Sequence, residues 1–340
     1  MRDLRVGLVG YGMAGHDFHA PLIRSVQGMR ITHVVTGDAE RAASARDENP
    51  DVRVVATADE LWAHSGAIDV VVIASPTALH AEQAREALRR ELAVVIDKPM
   101  ATTVDDAREL VELSKARGAL LTVFQNRRWY SDHLTARAVL SSGVLGEIVR
   151  YEARYERWRP VPKERWREQS TSEEGGGLLM DLQPHLVDGA LDLFGPVESV
   201  YAELAAVTTV GDDVAFLALR HLSGVVSHLG ATSLAGAPGP RTRLLGREAT
   251  YLVADVDGDP TAYDGWRDAD DEHRGFLVRG EESEPVQRAP GTAADFYAGV
   301  REALVEGTIP PVDPQEAVAV IEVLDAARAS ARDGVVVRLS

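Results

Sequence analysis

The first third of the chain alternates short apolar runs with amphipathic segments. Runs rich in Val, Ile and Leu predict buried strands, and the segments between them have the period of a helix. The predicted strands are Val6–Val9, Ile31–Val35, Val52–Ala56, Val70–Ala74, Val94–Ile96 and Leu120–Phe124. The predicted helices are Met13–Ser25, Ala39–Asp47, Asp59–His64, Leu79–Arg90 and Val104–Arg117. Thr102 or Thr103 can cap the last helix, and Gly118 is placed to end it. Strands and helices alternating at this spacing predict right-handed crossovers and a parallel sheet.

After about Asn126 the pattern changes to the apolar–polar alternation of half-buried strands. The predicted strands are Ile148–Trp158, Val197–Val207, Val214–Arg220, Val225–Thr232 and Thr242–Val253, with helices at Asp132–Ser141, near Leu178–Phe194, and late at Phe296–Leu304 and Ala317–Leu324. Asp255–Glu284 is polar and predicts loops with short strands. We therefore predict an α/β protein of two domains. Residues 1–124 hold a doubly wound parallel sheet, and residues 125–340 hold a large open antiparallel sheet, with the late helices packing back on the first domain.

Composition narrows the functions that this pattern can serve. The 340 residues are 45% hydrophobic, which is enough for two cores, and carry a formal charge of −17. An acidic chain repels phosphates, so we expect neither nucleic acid nor membrane as a partner. The absence of cysteine excludes disulfides, thiolate metal sites and a cysteine nucleophile. No apolar run reaches the ~18 residues of a membrane span. The start, MRDLRVGLVGYGMAG, does not fit a signal peptide, so we expect a cytoplasmic protein.

A glycine motif stands between the first predicted strand and the first predicted helix. The segment Gly10-Tyr11-Gly12-Met13-Ala14-Gly15 has the spacing GxGxxG. In this context the first glycine permits a tight turn, the second lets the backbone approach a pyrophosphate, and the third lets helix and strand pack closely. The helix N-terminus offers free N–H groups to the anion. The sequence therefore predicts a dinucleotide-binding turn, the alternative being a structural glycine-rich turn.

The end of the second strand leaves the choice between NAD and NADP open. An acid at this place binds the ribose hydroxyls, whereas a nearby Arg accommodates the 2′-phosphate. The sequence has Thr36-Gly37 where the acid is expected, Asp38 slightly later, and Arg41 in the next helix. We therefore predict NAD or NADP as the cofactor.

Two further strands end in residues that we expect to lie over the cofactor, because ligands of such sheets bind beyond the carboxyl ends of the strands. Ser75-Pro76 follows the fourth strand, and His80 is either a pocket residue or a surface histidine. Asp97-Lys98-Pro99 follows the fifth strand, and the proline stops further pairing. Lys98 in a cleft would bind a hydroxyl oxygen and stabilise the negative charge that forms on it. The alternative is a solvated lysine.

The segment GGGLLMDLQPHLVDGALDLFG, residues 175–195, predicts a buried helix with one polar stripe. Asp181 and His185 are four residues apart, so they share a helix face, which Asp188 and Asp192 continue. The other directions are apolar, so the stripe faces a pocket or a thin strip of solvent. Pro184 places the start of the regular helix near itself. With no second histidine at ligand spacing and no GxSxG elbow, we predict neither a metal site nor a serine hydrolase.

Together these segments resemble the Gfo/Idh/MocA family of NAD(P)-dependent oxidoreductases over nearly the whole chain. The resemblance rests on the glycine turn, SPTALH at Ser75–His80, DKP at Asp97–Pro99, NRRW at Asn126–Trp129 and GGGLLMDLQPH at Gly175–His185. The segments GYGMAGHDFHAPL, NRRW and RPVPKERWRE are most similar to the branch that contains scyllo-inositol dehydrogenases. The implied fold is a Rossmann domain followed by an open antiparallel α/β domain whose sheet often forms the oligomer interface. We therefore expect a homodimer or homotetramer.

The resemblance also implies residue roles. It makes Lys98, Asp181 and His185 the catalytic set, with the histidine as acid/base and the other two binding and polarising the substrate hydroxyl. It implies substrate binding by Lys98, Arg127, Asp181 and His185. The cofactor-binding residues that we expect are Gly10, Gly12, Met13, Ala14, Gly15, Thr36, Gly37, Arg41, Ser75, Pro76, His80, Asp97, Lys98, Asn126 and Trp166. Two departures are Asp97 in place of the usual Glu and Gln183-Pro184 in place of a frequent glycine-containing pair.

The implied activity is hydride transfer between a nicotinamide cofactor and a hydroxyl or keto carbon of a sugar or inositol-type polyol. One alternative is a non-redox enzyme of the same fold that uses bound NAD in glycoside cleavage. Another is a non-catalytic nucleotide-binding regulator, which should lack the catalytic set. The sequence does not identify the polyol or its stereochemistry.

Overall fold

The apolar runs of the first third form a six-stranded parallel sheet in the order β3-β2-β1-β4-β5-β6. The computed structural model describes residues 3–254, 268 and 270–339. This sheet belongs to a unit made of Met1–Asn126 and Ala293–Ile321. Its strands are β1 Leu4–Val9, β2 Met29–Val35, β3 Arg53–Val55, β4 Val70–Ile73, β5 Ala93–Asp97 and β6 Leu121–Phe124. The strand order reverses beside β1, which is the switch point where doubly wound sheets bind dinucleotides.

The central strands of this sheet are apolar on both faces because helices cover both faces. Every residue of β4 and β5 is buried. The first helices are α1 Ala20–Ser25, α2 Ala39–Glu48, α3 Ala58–Trp62, α4 His80–Arg89 and α5 Val104–Arg117. The predicted ends of α5 are confirmed: the Thr103 side chain accepts from the Asp106 N–H, and Gly118 adopts the left-handed conformation.

The second unit, Arg127–Thr292 with Glu322–Ser340, is built on a nine-stranded sheet in the order β14-β13-β12-β11-β7-β10-β9-β8-β15. Its strands are β7 Ile148–Glu156, β8 Val197–Ala205, β9 Val214–His221, β10 Val226–Thr232, β11 Thr242–Gly246, β12 Thr250–Val253, β13 His273–Arg279, β14 Glu282–Gln287 and β15 Val337–Arg338. All pairs are antiparallel except β7 with β10, which run parallel. The sheet is therefore mixed and mostly antiparallel.

The remaining helices are α6 Ser131–Ser142, α7 Trp166–Gln169, α8 Gly177–Asp181, α9 Gln183–Phe194, α10 Ala294–Glu306 and α11 Pro314–Asp333. In the second unit α9 packs on β7 and β10. In the first unit α10 packs on α1, and its Phe296 lies 5.0 Å from Phe124 between ring centroids.

Two predicted elements are wrong in detail. The strand predicted over Thr242–Val253 is a hairpin, because β11 ends at Gly246 and β12 begins at Thr250. The helix predicted near Leu178–Phe194 is two helices separated at Leu182. The predicted loop region Asp255–Glu284 lies partly outside the described residues. Its described part holds the hairpin of β13 and β14.

Candidate active site

The glycine turn has the geometry that a dinucleotide requires. Gly10 has φ +95°, and a side chain on it would lie 2.7 Å from the Ala74 carbonyl oxygen. A Cβ on Gly15 would lie 2.0 Å from the Gly10 carbonyl oxygen, so only glycine lets the following helical turn approach the strand. A Cβ on Gly12 would meet nothing nearer than the Arg41 Nη1 at 3.6 Å. The space over Gly12 therefore suits a pyrophosphate, and the residues present fit the cofactor.

Of the residues after β2, Thr36 and Asp38 hydrogen-bond to the backbone, whereas Arg41 extends towards the glycine turn. The Asp38 carboxylate caps α2 by accepting from the Arg41 N–H at 2.9 Å. The Thr36 hydroxyl accepts from the Asp38 N–H at 3.3 Å. The Arg41 guanidinium extends towards Gly12, whereas the acid expected for ribose binding is absent at position 36. The structure therefore places one guanidinium, that of Arg41, near the glycine turn.

The ends of β4 and β5 are joined by a buried histidine. His80 is 1% exposed, and its Nδ1 and Nε2 lie 2.9 Å from the carbonyl oxygens of Pro99 and Ser75, respectively. It is therefore no surface histidine, and both ring nitrogens are engaged by the backbone. The Ser75 hydroxyl donates to Gln83 at 2.7 Å. The peptide bond between Lys98 and Pro99 is cis.

Lys98 is buried rather than solvated. It is 8% exposed, as is Asp97 before it. His19 Nε2 lies 3.5 Å from the Asp97 carboxylate, and His19 Nδ1 contacts the Tyr297 hydroxyl. Burial opposes ionisation of Asp97, but His19, Lys98 and His80 together hold the pKa of its carboxyl below the usual range. Lys98 therefore follows β5 at a buried position next to the charged Asp97.

In the second unit, Asp181 and His185 do not share one continuous helix. Asp181 is the last residue of α8, and His185 lies in the first turn of α9, after the break at Leu182. Pro184 stands in the first turn of α9, as predicted. Asp181 pairs with the Arg167 guanidinium at 3.2 Å, and that guanidinium lies 4.5 Å from the ring centre of Trp166.

These two residues line two different pockets of the second unit. We call the first the basic pocket, and its charged lining residues are Arg157, Arg159, Lys163, Arg165, Arg167, Glu168, Asp181, Asp212 and Asp213. We call the second the histidine pocket, and its polar lining residues are Arg127, Asp132, His133, Tyr151, His185, Arg241 and Thr242. Both linings are rich in the hydrogen-bonding and charged groups that hold a polar ligand.

The rest of the predicted polar stripe holds structural ion pairs instead of facing solvent. Asp188 is 1% exposed and accepts two hydrogen bonds from Arg128, at 2.9 and 2.7 Å. Asp192 pairs with His133 Nε2 at 2.7 Å. Such a two-pronged arginine–carboxylate pair fixes geometry as well as charge. It therefore holds α9 against Arg128 of the NRRW segment, Asn126–Trp129.

The basic pocket also contains an acid that the sequence analysis missed. Asp212 is 8% exposed, and its Oδ2 accepts from the Leu179 N–H at 2.6 Å. Burial raises the pKa of this carboxyl to about 6, although N–H donors of α8 oppose the rise. The next residue, Asp213, has a pKa below its usual range. Burial opposes this shift, but donors on Thr208 and Val207 outweigh it.

The predicted site residues thus fall into two groups. The first unit holds Gly10, Gly12, Met13, Ala14, Gly15, Thr36, Gly37, Arg41, Ser75, Pro76, His80, Asp97, Lys98 and Asn126, and the second holds Arg127, Trp166, Asp181 and His185. Met13 is 49% exposed beside the glycine turn, and Asn126 is buried. Sequence reasoning missed Tyr155, Asp212 and Arg241. The apolar–polar alternation of β7, the first strand of the nine-stranded sheet, does place Tyr155 on the buried face, which is the one signal that the sequence gives for it.

A Rossmann sheet with a glycine turn of this shape, and a buried lysine after β5, defines an NAD-binding oxidoreductase. Sequence comparison agrees. The description "Oxidoreductase family, NAD-binding Rossmann fold" matches residues 4–125, and "GFO/IDH/MocA C-terminal domain" matches residues 133–252. The chain belongs to the Gfo/Idh/MocA oxidoreductase family.

Two of its relatives match nearly the whole chain. The uncharacterised oxidoreductase YdgJ of Escherichia coli is 34% identical over 97% of both chains. The scyllo-inositol 2-dehydrogenase (NADP(+)) IolW of Bacillus subtilis is 29% identical over 97% of this chain and 94% of its own. The solved structure of the oxidoreductase yvaA from Bacillus subtilis superposes with a TM-score of 0.87 at 28% identity and 99% coverage of both chains.

Within residues 3–254, 268 and 270–339, no group of three or more His, Asp or Glu side chains is arranged to hold a metal ion. No helix in the same part of the chain is long and apolar enough to cross a membrane.

Proposed function

We propose that the protein is an NAD(P)-dependent dehydrogenase that oxidises a hydroxyl group, or reduces the matching keto group, of a sugar or inositol-type polyol. The observation that carries the proposal is the histidine pocket, where His185 stands among the hydrogen-bonding and cationic side chains that a polyol's hydroxyl groups require. The name of the IolW relative, a scyllo-inositol 2-dehydrogenase, points to the same substrate class. The proposed division of labour gives cofactor binding to residues 1–124 and substrate binding to residues 125–340.

We assign the proton transfer to His185. When bound, the nicotinamide supplies the hydride acceptor. Oxidation of an alcohol then needs a base whose pKa lies near the working pH, and histidine is the usual choice. Lys98 holds the reacting oxygen and stabilises the negative charge that develops on it. Asp181 binds a second hydroxyl, and Arg127 contributes a further donor.

We infer a preference for NADP over NAD. Thr36 replaces the acid that binds free ribose hydroxyls, and the only role that the structure gives the Asp38 carboxylate among the described contacts is to cap α2. The Arg41 guanidinium, by contrast, approaches the glycine turn. A guanidinium near the ribose favours a phosphate over a hydroxyl.

The test is a panel of polyols and aldoses with NAD⁺ and with NADP⁺, followed by the absorbance of the reduced nicotinamide. We expect oxidation of at least one polyol, and we expect His185→Ala to lower kcat by ~10²–10⁴-fold while cofactor affinity is unchanged. His273→Ala is the matched control, since His273 pairs with Asp270 on the surface of the same unit. Near-normal kcat in His185→Ala would reject the base, and cofactor binding without reduced nicotinamide from any substrate would reject the dehydrogenase.

A further inference from the structure

Tyr155 is a buried residue whose hydroxyl is left without a hydrogen bond by the part of the chain that the structure describes. The side chain is 2% exposed on β7, on the same face of the sheet as Tyr151. Among the described residues, its hydroxyl has no hydrogen-bond partner. Buried hydroxyls nearly always have a hydrogen-bond partner, because a hydroxyl that loses its water on burial and gains no other partner destabilises the fold. An orphan of this kind calls for an explanation, and a ligand that reaches the hydroxyl is one.

The ring of Tyr155 contacts arginines that line each of the two pockets. The guanidinium of Arg241 lies 3.7 Å from the ring centre and that of Arg127 lies 5.5 Å from it, and both residues line the histidine pocket. The guanidinium of Arg157, which lines the basic pocket, lies 6.0 Å from the same centre. The His185 ring is 6.2 Å away between centroids. Tyr155 thus contacts the wall of each pocket.

This position connects the two catalytic candidates that the helix break separates. Asp181 lines the basic pocket and His185 lines the histidine pocket. Because arginines of both pockets contact the Tyr155 ring, a polyol that presents one hydroxyl to Asp181 and one to His185 binds beside the arginines that surround Tyr155. The stacked guanidinium groups hold the phenol ring in place by cation–π contact, so the hydroxyl is already ordered before a ligand arrives.

We infer that the Tyr155 hydroxyl hydrogen-bonds a substrate oxygen next to the one that reacts, so that the site selects compounds with neighbouring hydroxyls. This inference rests on the proposed function. A site built around an otherwise unsatisfied polar group discriminates strongly, because a substrate that lacks the matching hydroxyl leaves the group unpaired. Tyr155 is therefore a substrate-binding residue that favours a vicinal polyol over an isolated alcohol.

The first test compares Tyr155→Phe with Tyr251→Phe. Tyr251 is equally buried, but its hydroxyl donates to the Arg274 carbonyl at 2.7 Å. We expect Tyr155→Phe to keep or raise the substrate-free Tm and to lower kcat/KM for the best polyol by ~10–100-fold, mainly through KM. Tyr251→Phe should show the reverse pattern, with a lower Tm and unchanged kcat/KM. A fall in substrate-free Tm for Tyr155→Phe would show that the protein itself pairs the hydroxyl and would overturn the inference.

The second test uses analogues of that polyol with one hydroxyl at a time replaced by hydrogen. In the parent protein we expect every analogue to have a lower kcat/KM than the polyol itself. In Tyr155→Phe we expect one analogue to have the same kcat/KM as the polyol. If every analogue keeps its lower kcat/KM in Tyr155→Phe, an ordered water rather than the substrate satisfies Tyr155, and the inference fails while the dehydrogenase assignment stands. If the parent neither oxidises any polyol nor gains Tm from one, both fail. A Tm gain from a polyol that depends on Tyr155, without oxidation, supports the inference and rejects the proposed function.

Discussion

Asp212 and Asp213 are adjacent and both buried, yet their surroundings favour opposite protonation states. Around Asp212 burial outweighs the donors, whereas around Asp213 the Thr208 hydroxyl and two N–H groups outweigh burial. The folded protein therefore holds a proton on Asp212 at pH values where the unfolded chain has lost it. Stability from this group is complete below pH ~4 and is lost as the pH rises through about 6.

We expect Asp212→Asn to gain stability relative to the parent as the pH rises from ~4 to ~7. The gain should approach roughly 2–3 kcal/mol, at ~1.4 kcal/mol per pKa unit. Asp213→Asn is the control with the opposite sign. Its depressed pKa contributes stability above the unfolded value, so its loss should cost most near neutral pH. Urea titrations across this range measure both differences, and parallel curves for the two variants would contradict the assignment.

Arg41 provides a second prediction for a single residue. If its guanidinium binds the 2′-phosphate, Arg41→Ala should weaken NADP⁺ binding by ~10–100-fold and leave NAD⁺ binding nearly unchanged. Arg46→Ala is the matched control on the same helix, since the Arg46 guanidinium contacts the Ala42 carbonyl of α2. Calorimetric titration with both cofactors gives the ratio. Equal losses of affinity for NAD⁺ and NADP⁺ would mean that Arg41 binds the pyrophosphate, which both cofactors share, and not the 2′-phosphate.

The residues that sequence reasoning missed share a physical cause. Asp212 and Tyr155 matter because burial deprives them of water, and burial is set by which elements pack together. The positions that were predicted, such as Gly10 and Lys98, lie directly at the ends of strands. Their surroundings follow from the parallel sheet, which the alternation of apolar runs had already indicated.

At the scale of elements, Gly15 and Gly12 of the glycine turn have different roles, and substitutions can distinguish them. Gly15 lets the helix pack against the strand, and Gly12 leaves space for the cofactor. Gly15→Ala places a methyl group 2.0 Å from the Gly10 carbonyl oxygen, so helix and strand must move apart. We expect a loss of several kcal/mol of unfolding free energy. Gly12→Val points into open space, so the fold should survive while cofactor affinity falls sharply. Thermal melting and NAD(P) titration of both variants test this, and unchanged titration by Gly12→Val would reject the turn as the binding site.

The elements that were predicted wrongly also have a physical explanation. All six strands of the parallel sheet were found because apolar runs covered on both faces leave little choice. Pro184 correctly indicated where α9 begins, but the separate helix α8 was not predicted, because the surrounding sequence is apolar in nearly every direction and a bend leaves no trace in the helical period. The hairpin of β11 and β12 was read as one strand because alternation continues on both sides of Gly246.

For the whole molecule, we predict a homo-oligomer assembled through the open face of the nine-stranded sheet. Residues of β9 and β10 that point away from the helices, including Phe216 and Ala218, are only half-buried in the single chain. Phe216→Asp should convert the assembly to a 36.7 kDa monomer in light scattering at micromolar concentration. Leu222→Asp, at a site 69% exposed in a turn, should leave the mass unchanged. A parent protein that is already a monomer would refute the prediction.

The composition of the first unit has a consequence for synthesis on the ribosome. Phe124 packs against Phe296, and the Thr122 hydroxyl donates to the Val312 carbonyl, so the edge strand β6 is completed by a segment made about 170 residues later. At ~5–20 residues per second the nascent chain waits roughly 10–30 s with that edge uncovered. An unpaired apolar edge invites aggregation. We therefore expect the N-terminal third of this protein to need chaperones that bind chains during translation, and we expect residues 1–292 expressed alone to yield insoluble material.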